Sequence, residues 1–314
     1  MKNSINGLHH VTAIAGNAKR NYKFYAGTLG LRLVKKTVNF DDPNTYHLYY
    51  GNESGTPGTI LTFFPWENMQ KGRSGANQIT AVGLTIPKES FDFWEDHLLR
   101  SKVLFAEPTE RFSVPYISFE DPDGLLLELY AASGDDTRSG WPAGGIDIEF
   151  AIKGVYSITI STHKIEPIAK VLTDILGYSP AGEENNTFRF KNQEAHGEAS
   201  IVDLIIAGGR DQSLNGRLGS GSVHHAAFRV ANDQIMMEYR EKVLASGLSI
   251  TEKIDRNYFY SVYFREPGGV LFEIASDNPG FTVDEPLNEL GTKLKLPAMY
   301  ENNRNSIVES LPPL

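Results

Sequence analysis

Four segments of this chain run through the same order of events: a short apolar strand, a helical stripe, then three more strands. An internal repeat of this length constrains the fold more than any other feature, because each copy is one supersecondary unit that buries its apolar face only against a neighbour. The copies open at Leu8-His9-His10-Val11-Thr12, Asn77-Gln78-Ile79-Thr80-Ala81, Val155-Tyr156-Ser157-Ile158 and Val223-His224-His225-Ala226. Taking the second histidine as marker, they fall at His10, Gln78, Ser157 and His225, with gaps of 68, 79 and 68. The equal outer gaps predict two similar halves joined by a longer centre.

Helical spacing follows each opening strand. Tyr22, Tyr25 and Leu29 recur at i, i+3, i+7, as do Phe91, Trp94 and Leu98. Ile168, Val171, Leu172 and Ile175 form the third stripe, and Ile235, Tyr239 and Val243 the fourth. Each gives one face for packing on a sheet. Gly30, Gly177 and Gly247 follow three of these helices, where a left-handed cap favours glycine. Each copy closes on an apolar strand, and the matched closing positions hold Thr62, Glu128, Asp203 and Glu273.

Composition narrows the partners. The 314 residues are 40% hydrophobic and 22% charged, which excludes wholesale disorder. No cysteine is present, so disulfides, thiolate metal sites and a cysteine nucleophile are all excluded. A net charge of −9 without a basic stretch argues against nucleic acid or an anionic membrane as partner. No apolar run reaches the length of a membrane span, and Met1–Gly7 lacks the apolar core of a signal peptide. These features predict a cytoplasmic protein.

The fourfold βαβββ pattern resembles the vicinal-oxygen-chelate (glyoxalase/bleomycin resistance/extradiol dioxygenase) superfamily over most of residues 7–276. The resemblance implies an α+β fold in which paired modules curl into cup-like, barrel-like mixed sheets around a metal. We expect an N-terminal glyoxalase-like domain at 1–140, a C-terminal one at 150–280 and a tail at 281–314. The linker falls near 134–150, where the sequence is polar and glycine-rich, and the tail need not join a sheet.

Among the marker and closing positions, only copies one and four carry histidine, and only copy four has both histidine and glutamate. Two imidazoles and one carboxylate make the facial triad of non-haem Fe(II) oxygenases. His10, His225 and Glu273 are therefore the expected metal ligands. A lone strand histidine is more often a core residue; the case here rests on equivalent positions in repeats. Because Ser157 replaces the third-copy histidine, module 1 must pair with module 4, leaving module 2 to pair with module 3. Gln78, Ser157, Glu128 and Asp203 of that second pair contain no imidazole and should not hold iron. Neighbouring strand residues face opposite sides, so one histidine of each pair should enter the cup, with Thr12 beside His10.

Longer phrases narrow the resemblance. Tyr46-His47-Leu48-Tyr49-Tyr50-Gly51, Gly72-Arg73-Ser74-Gly75, Gly221-Ser222-Val223-His224-His225 and Asp255-Arg256-Asn257-Tyr258 look like the hydroquinone-type ring-cleaving dioxygenases. Such enzymes act on para-diphenols with Fe(II) and O2, and the same ligands also suit Mn2+ and Zn2+. The family's pocket residues match His9, Thr12, His224, Arg256 and Tyr263. The implied partners are a small aromatic diol and O2, and homo-oligomerisation is left open. Two other readings stand beside this one: a glyoxalase-like lyase or isomerase, and a non-enzymatic aromatic-binding resistance protein. Glyoxalase-like sites usually carry a fourth protein ligand, and Thr62 occupies its position here.

Overall fold

Each repeat supplies four strands, and their pairing crosses the two halves of the sequence. The computed structural model describes residues 4–132, 136–195, 198–208 and 214–314. Module 1 contributes β1 (Leu8–Ala15), β2 (Arg32–Val38), β3 (Tyr46–Gly51) and β4 (Ile60–Pro65). Module 2 contributes β5 (Gln78–Pro87), β6 (Thr109–Arg111), β7 (Val114–Glu120) and β8 (Leu126–Ala132). Module 3 contributes β9 (Gly154–Thr162), β10 (Ser179–Glu184), β11 (Thr187–Lys191) and β12 (Ile201–Ile206). Module 4 contributes β13 (Ser222–Val230), β14 (Ile254–Asp255), β15 (Phe259–Arg265) and β16 (Leu271–Pro279).

Two eight-stranded mixed sheets result. One runs β14-β15-β16-β13-β1-β4-β3-β2 and the other β10-β11-β12-β9-β5-β8-β7-β6. The fold is therefore α+β, with module 1 joined to module 4 and module 2 to module 3, as the distribution of histidines required. The seams are the antiparallel pairs β1–β13 and β5–β9. In every module the opening and closing strands run parallel, and in modules 1, 3 and 4 the closing residue pairs with the residue two places after the marker, on the marker's own face.

The helical stripes fold onto the sheets. They lie in α1 (Ala18–Tyr22), α2 (Phe91–Arg100), α3 (Ile165–Lys170) and α4 (Asp233–Ala245), with α1 and α3 widening into a π turn at Lys23–Thr28 and Val171–Ile175. Tyr25, Leu29, Trp94, Leu98, Ile168, Leu172, Tyr239 and Val243 are all buried, whereas Tyr22 is exposed. Gly30 (φ 67°), Gly177 (φ 71°) and Gly247 (φ 84°) adopt the left-handed conformation at the helix ends.

One expectation needs correction. The counterpart of His10 in module 2 is Ala81, not Gln78. Thr12 pairs with Thr62 as Gly83 pairs with Glu128, which places Ala81 where β1 has His10. Gln78 lies three residues earlier, opposite Ser161. The tail also touches a sheet. Leu294 bridges to Lys36 on β2, and the Lys295 amide donates to the Lys36 carbonyl at 2.9 Å. Lys35 beneath it is wholly buried between Asp284 and Glu285. The Tyr300 hydroxyl donates to the Phe40 carbonyl at 2.6 Å, bracing the turn between β2 and β3. Part of the expected linker, residues 133–135, lies outside the described residues.

Candidate metal centre

His10, His225 and Glu273 converge on the concave side of the first sheet. Glu273 Oε2 lies 3.3 Å from His10 Nε2 and 2.8 Å from His225 Nε2. All three residues are buried. Among the described residues they form the one group of three or more His, Cys, Asp or Glu side chains able to share an ion. Neither Glu273 oxygen receives a hydrogen bond of acceptable geometry despite those short approaches. An orphaned buried carboxylate is expensive, and three lone-pair-bearing atoms aimed at one point are what a divalent cation satisfies. Burial opposes ionisation of Glu273, yet the His10 and His225 imidazoles hold its carboxyl well below the usual range. The donor set thus fits a metal ion.

In each histidine pair the two imidazoles lie side by side rather than on opposite faces of the sheet. Simple alternation would send them to opposite faces, but a β-bulge intervenes twice. Opposite partners step from Leu8–Phe228 to His10–Ala227, so β1 carries the extra residue, His9. They step again from Thr12–His225 to Ala13–Val223, so β13 carries the extra residue, His224. A bulge re-aims the side chain it inserts. His9 Nδ1 comes to 3.0 Å from His10 Nδ1, and His224 Nδ1 to 2.8 Å from His225 Nδ1. Each bulge histidine therefore ties up the Nδ1 of its neighbour and leaves Nε2 as the atom that could hold a metal ion, an arrangement that fixes ring orientation. Burial first, and the adjacent His10 second, push His9 well below the ordinary histidine range. His224 is pushed down to about 3, by burial and then by His225.

A cavity of about 460 Å³ opens beside the centre. His224, Arg256 and Tyr263 line it, joined by Phe259, Phe64 and Trp66. Arg256 Nε donates to the Tyr263 hydroxyl at 3.3 Å, and Tyr263 pairs across the sheet with Glu273. His9 is not on the cavity wall; it sits behind, with Phe259 5.2 Å away, ring centre to ring centre. Thr12 is wholly buried and accepts a hydrogen bond from the Thr62 hydroxyl at 3.0 Å. Asn39 to Asp42, in the turn braced by the tail, form part of the rim.

Sequence reasoning missed two residues here, His47 and Tyr49. Every residue of β3 is buried, so its pattern does not show which face meets the cavity. The one signal was a histidine two places before a tyrosine in an aromatic strand. Burial first, then the nearby His10 and His225, push His47 well below the ordinary range, so it is neutral near pH 7. An unfolded chain binds a proton at this histidine near pH 6.5, while the folded one does not. Stability should therefore fall as pH drops below about 6.5, by about 1.4 kcal/mol per unit for this group. Urea midpoints between pH 7 and 5.5 test this. His47→Gln should flatten the slope, and equal slopes in both proteins would refute the assignment.

The second sheet's cup holds a different centre. Glu128 receives two hydrogen bonds from Arg111, at 2.9 and 3.1 Å, and Asp203 two from Arg189, at 2.8 and 2.7 Å. Guanidinium groups there satisfy both carboxylates, and no imidazole faces them among the described residues.

Comparison with known proteins agrees with this geometry. Residues 7–129 match the family model described as the Glyoxalase/Bleomycin resistance protein/Dioxygenase superfamily. The chain is 41% identical over 308 residues to "Putative ring-cleaving dioxygenase MhqO" of Bacillus subtilis, covering 98% of this chain and 96% of that one. It is 36% identical over 313 residues to the chlorohydroquinone/hydroquinone 1,2-dioxygenase of Sphingobium indicum, covering 98% and 96%. A crystal structure of a "putative dioxygenase" from B. subtilis superposes with a TM-score of 0.92 at 40% identity, covering 99% of this chain and 98% of that one. Maize glyoxalase I shares the fold alone, with a TM-score of 0.63 at 12% identity and coverage of 86% and 92%. The chain therefore belongs to the glyoxalase/bleomycin resistance/dioxygenase superfamily, alongside its ring-cleaving dioxygenases.

Proposed function

We propose that this protein is an Fe(II)-dependent dioxygenase that opens the ring of a hydroquinone or related para-diphenol with O2. The observation that carries the reading is the convergence of His10, His225 and Glu273, with the carboxylate oxygens unsatisfied, at the side of one aromatic-lined cavity. The relatedness to a hydroquinone 1,2-dioxygenase supports the substrate class. In this reading His10, His225 and Glu273 hold the metal. Bound there, Fe(II) would offer open coordination positions for a phenolate oxygen and for O2; Mn2+ and Zn2+ suit the same donors.

The remaining residues bind and orient. Phe64, Trp66 and Phe259 give a flat ring an apolar slot. Arg256 and Tyr263 stand on the cavity wall beside Glu273, where a guanidinium can hold an oxyanion and a tyrosine can hold or return a proton. Burial, with the Glu273 charge second, raises the Tyr263 hydroxyl well above the ordinary tyrosine value, so it stays protonated as a donor. His9 and His224 keep the ligand rings in place. Thr62, hydrogen-bonded to Thr12, stands where a glyoxalase-like centre would place its fourth ligand, which weighs against lyase chemistry.

The test is oxygen uptake. The purified protein is loaded anaerobically with Fe(II) and mixed with hydroquinone, methylhydroquinone, a chlorinated hydroquinone and catechol. We expect stoichiometric O2 consumption with loss of aromatic absorbance for the para-diphenols. Bound iron with no uptake on any diphenol would overturn the reading and point to isomerase substrates instead.

A further inference from the structure

One row of residues crosses four strands of the first sheet. His225 on β13 lies opposite Thr12 on β1, Thr12 opposite Thr62 on β4, and Thr62 opposite Tyr49 on β3. Thr62 holds the position that Glu273 holds in module 4, so this is the module's vacant ligand position. A buried hydrogen-bond chain fills it. Thr62 Oγ1 donates to Thr12 Oγ1 at 3.0 Å, His47 Nε2 lies 2.7 Å from Thr62 Oγ1, and the Tyr49 hydroxyl lies 2.9 Å from His47 Nδ1.

The chain has a direction, assigned from the hydrogen-bond network. A threonine hydroxyl has one hydrogen. Thr62 gives its hydrogen to Thr12, so toward His47 it can only accept, and Nε2 carries the imidazole proton. A neutral ring then has a bare Nδ1, which accepts the Tyr49 O–H. Having spent its hydrogen on His47, the Tyr49 oxygen has only lone pairs left. Tyr49 and His47 both line the cavity beside the metal centre, and the Thr12 end of the chain is sealed in protein.

We infer that Tyr49 is a specificity residue that accepts a hydrogen bond from the second hydroxyl of the ligand, and that His47 and Thr62 are positioning residues that lock it as an acceptor. The inference rests on the proposed para-diphenol substrate and sharpens it. Only one hydroxyl of a para-diphenol reaches the metal ligands, and the other needs a partner elsewhere on the wall. An acceptor there favours a free O–H. It disfavours a methyl ether or a quinone carbonyl, each of which sets a lone pair against a lone pair.

The experiment is an anaerobic calorimetric titration of the Fe(II)-loaded protein with hydroquinone and 4-methoxyphenol, both of which keep the phenol that reaches the metal. Hydroquinone is expected to bind about tenfold more tightly than 4-methoxyphenol, the value of one hydrogen bond. Tyr49→Phe should reduce that ratio to about twofold, by weakening hydroquinone and by relieving the lone-pair clash with the ether. Thr62→Val, which leaves Tyr49 in place but frees the direction of the chain, should reduce it as well. The double variant should do no more than Tyr49→Phe, since both act through one oxygen. A ratio unchanged in Tyr49→Phe overturns the inference. If that variant does not fold, as judged by circular dichroism, an unchanged ratio in Thr62→Val overturns it. Oxygen uptake by the same preparation separates the two failures: uptake without the ratio sinks this inference alone, and the ratio without uptake sinks only the proposed reaction.

Discussion

Replacing Glu273 by glutamine is expected to strip the metal and to cut oxygen consumption on hydroquinone by about a thousandfold or more, without unfolding the protein. The carboxylate is wholly buried, both its oxygens lack donors, and two imidazoles face it. The two imidazoles already favour the anion there, and the three groups together leave a cation as the partner that would satisfy them all. An amide keeps the shape and loses the charge, so the ion loses its one anionic ligand. Metal centres contribute several kcal/mol to charge stabilisation in the transition state, and each 1.36 kcal/mol is a factor of ten. The metal-free variant should be at least as stable as the metal-free parent, because the amide hydrogens can donate to the imidazole nitrogens beside it. Elemental analysis, an oxygen electrode and thermal melts measure the three effects together. Glu128→Gln is the control, since its carboxylate belongs to Arg111 and should not affect bound metal. Iron retained in Glu273→Gln at parental activity would remove Glu273 from the centre.

The second large effect concerns stability. Arg189→Ala should destabilise the fold by about 3–5 kcal/mol, because it strands a buried anion. Asp203 is fully buried, Arg189 is 6% exposed, and the pair is joined by two hydrogen bonds. The guanidinium also lies 4.1 Å over the Phe112 ring. The remaining cation, Arg111, approaches Asp203 only to 3.9 Å and is already committed to Glu128. The double replacement Arg189→Met with Asp203→Leu should recover most of the loss, since an apolar pair of similar volume needs no charge compensation. Urea denaturation of the three proteins checks this. A loss under about 1 kcal/mol for the single variant would mean that solvent reaches Asp203.

The repeat pattern was readable because a βαβββ unit writes both its periods into the sequence. The stripe at Ile168, Leu172 and Ile175 and the glycines at 30, 177 and 247 sit where the helices and their caps are. The module pairing followed from the placement of two histidines and one glutamate. The marker at Gln78 went astray because β5 begins three residues ahead of the position that matches His10, and nothing in its apolar run announces the offset. The orientation of His9 and His224 was hidden for a different reason. Alternation holds only while opposite strands keep register, and a bulge is a property of two strands together. His47 and Tyr49 stayed out of sight because their roles depend on Thr62, a residue that looks like a lost ligand until its hydrogen bonds are traced.

The crossed pairing of modules also sets an order on biosynthesis. The first half of the chain, leaving the ribosome, holds two four-stranded pieces whose raw edges are β1 and β5. Their partners, β13 and β9, belong to the second half. Until Ser222–Val230 has been made, β1 presents unpaired backbone groups next to His10, the kind of edge that invites wrong partners. The face that brings His10, His225 and Glu273 together cannot be assembled on a nascent first half, nor by the second half alone. On the proposed ligand set a metal ion can be held only once both halves have been made, and any nick or truncation that removes the last module leaves β1 without its partner and His10 as the one remaining ligand of three.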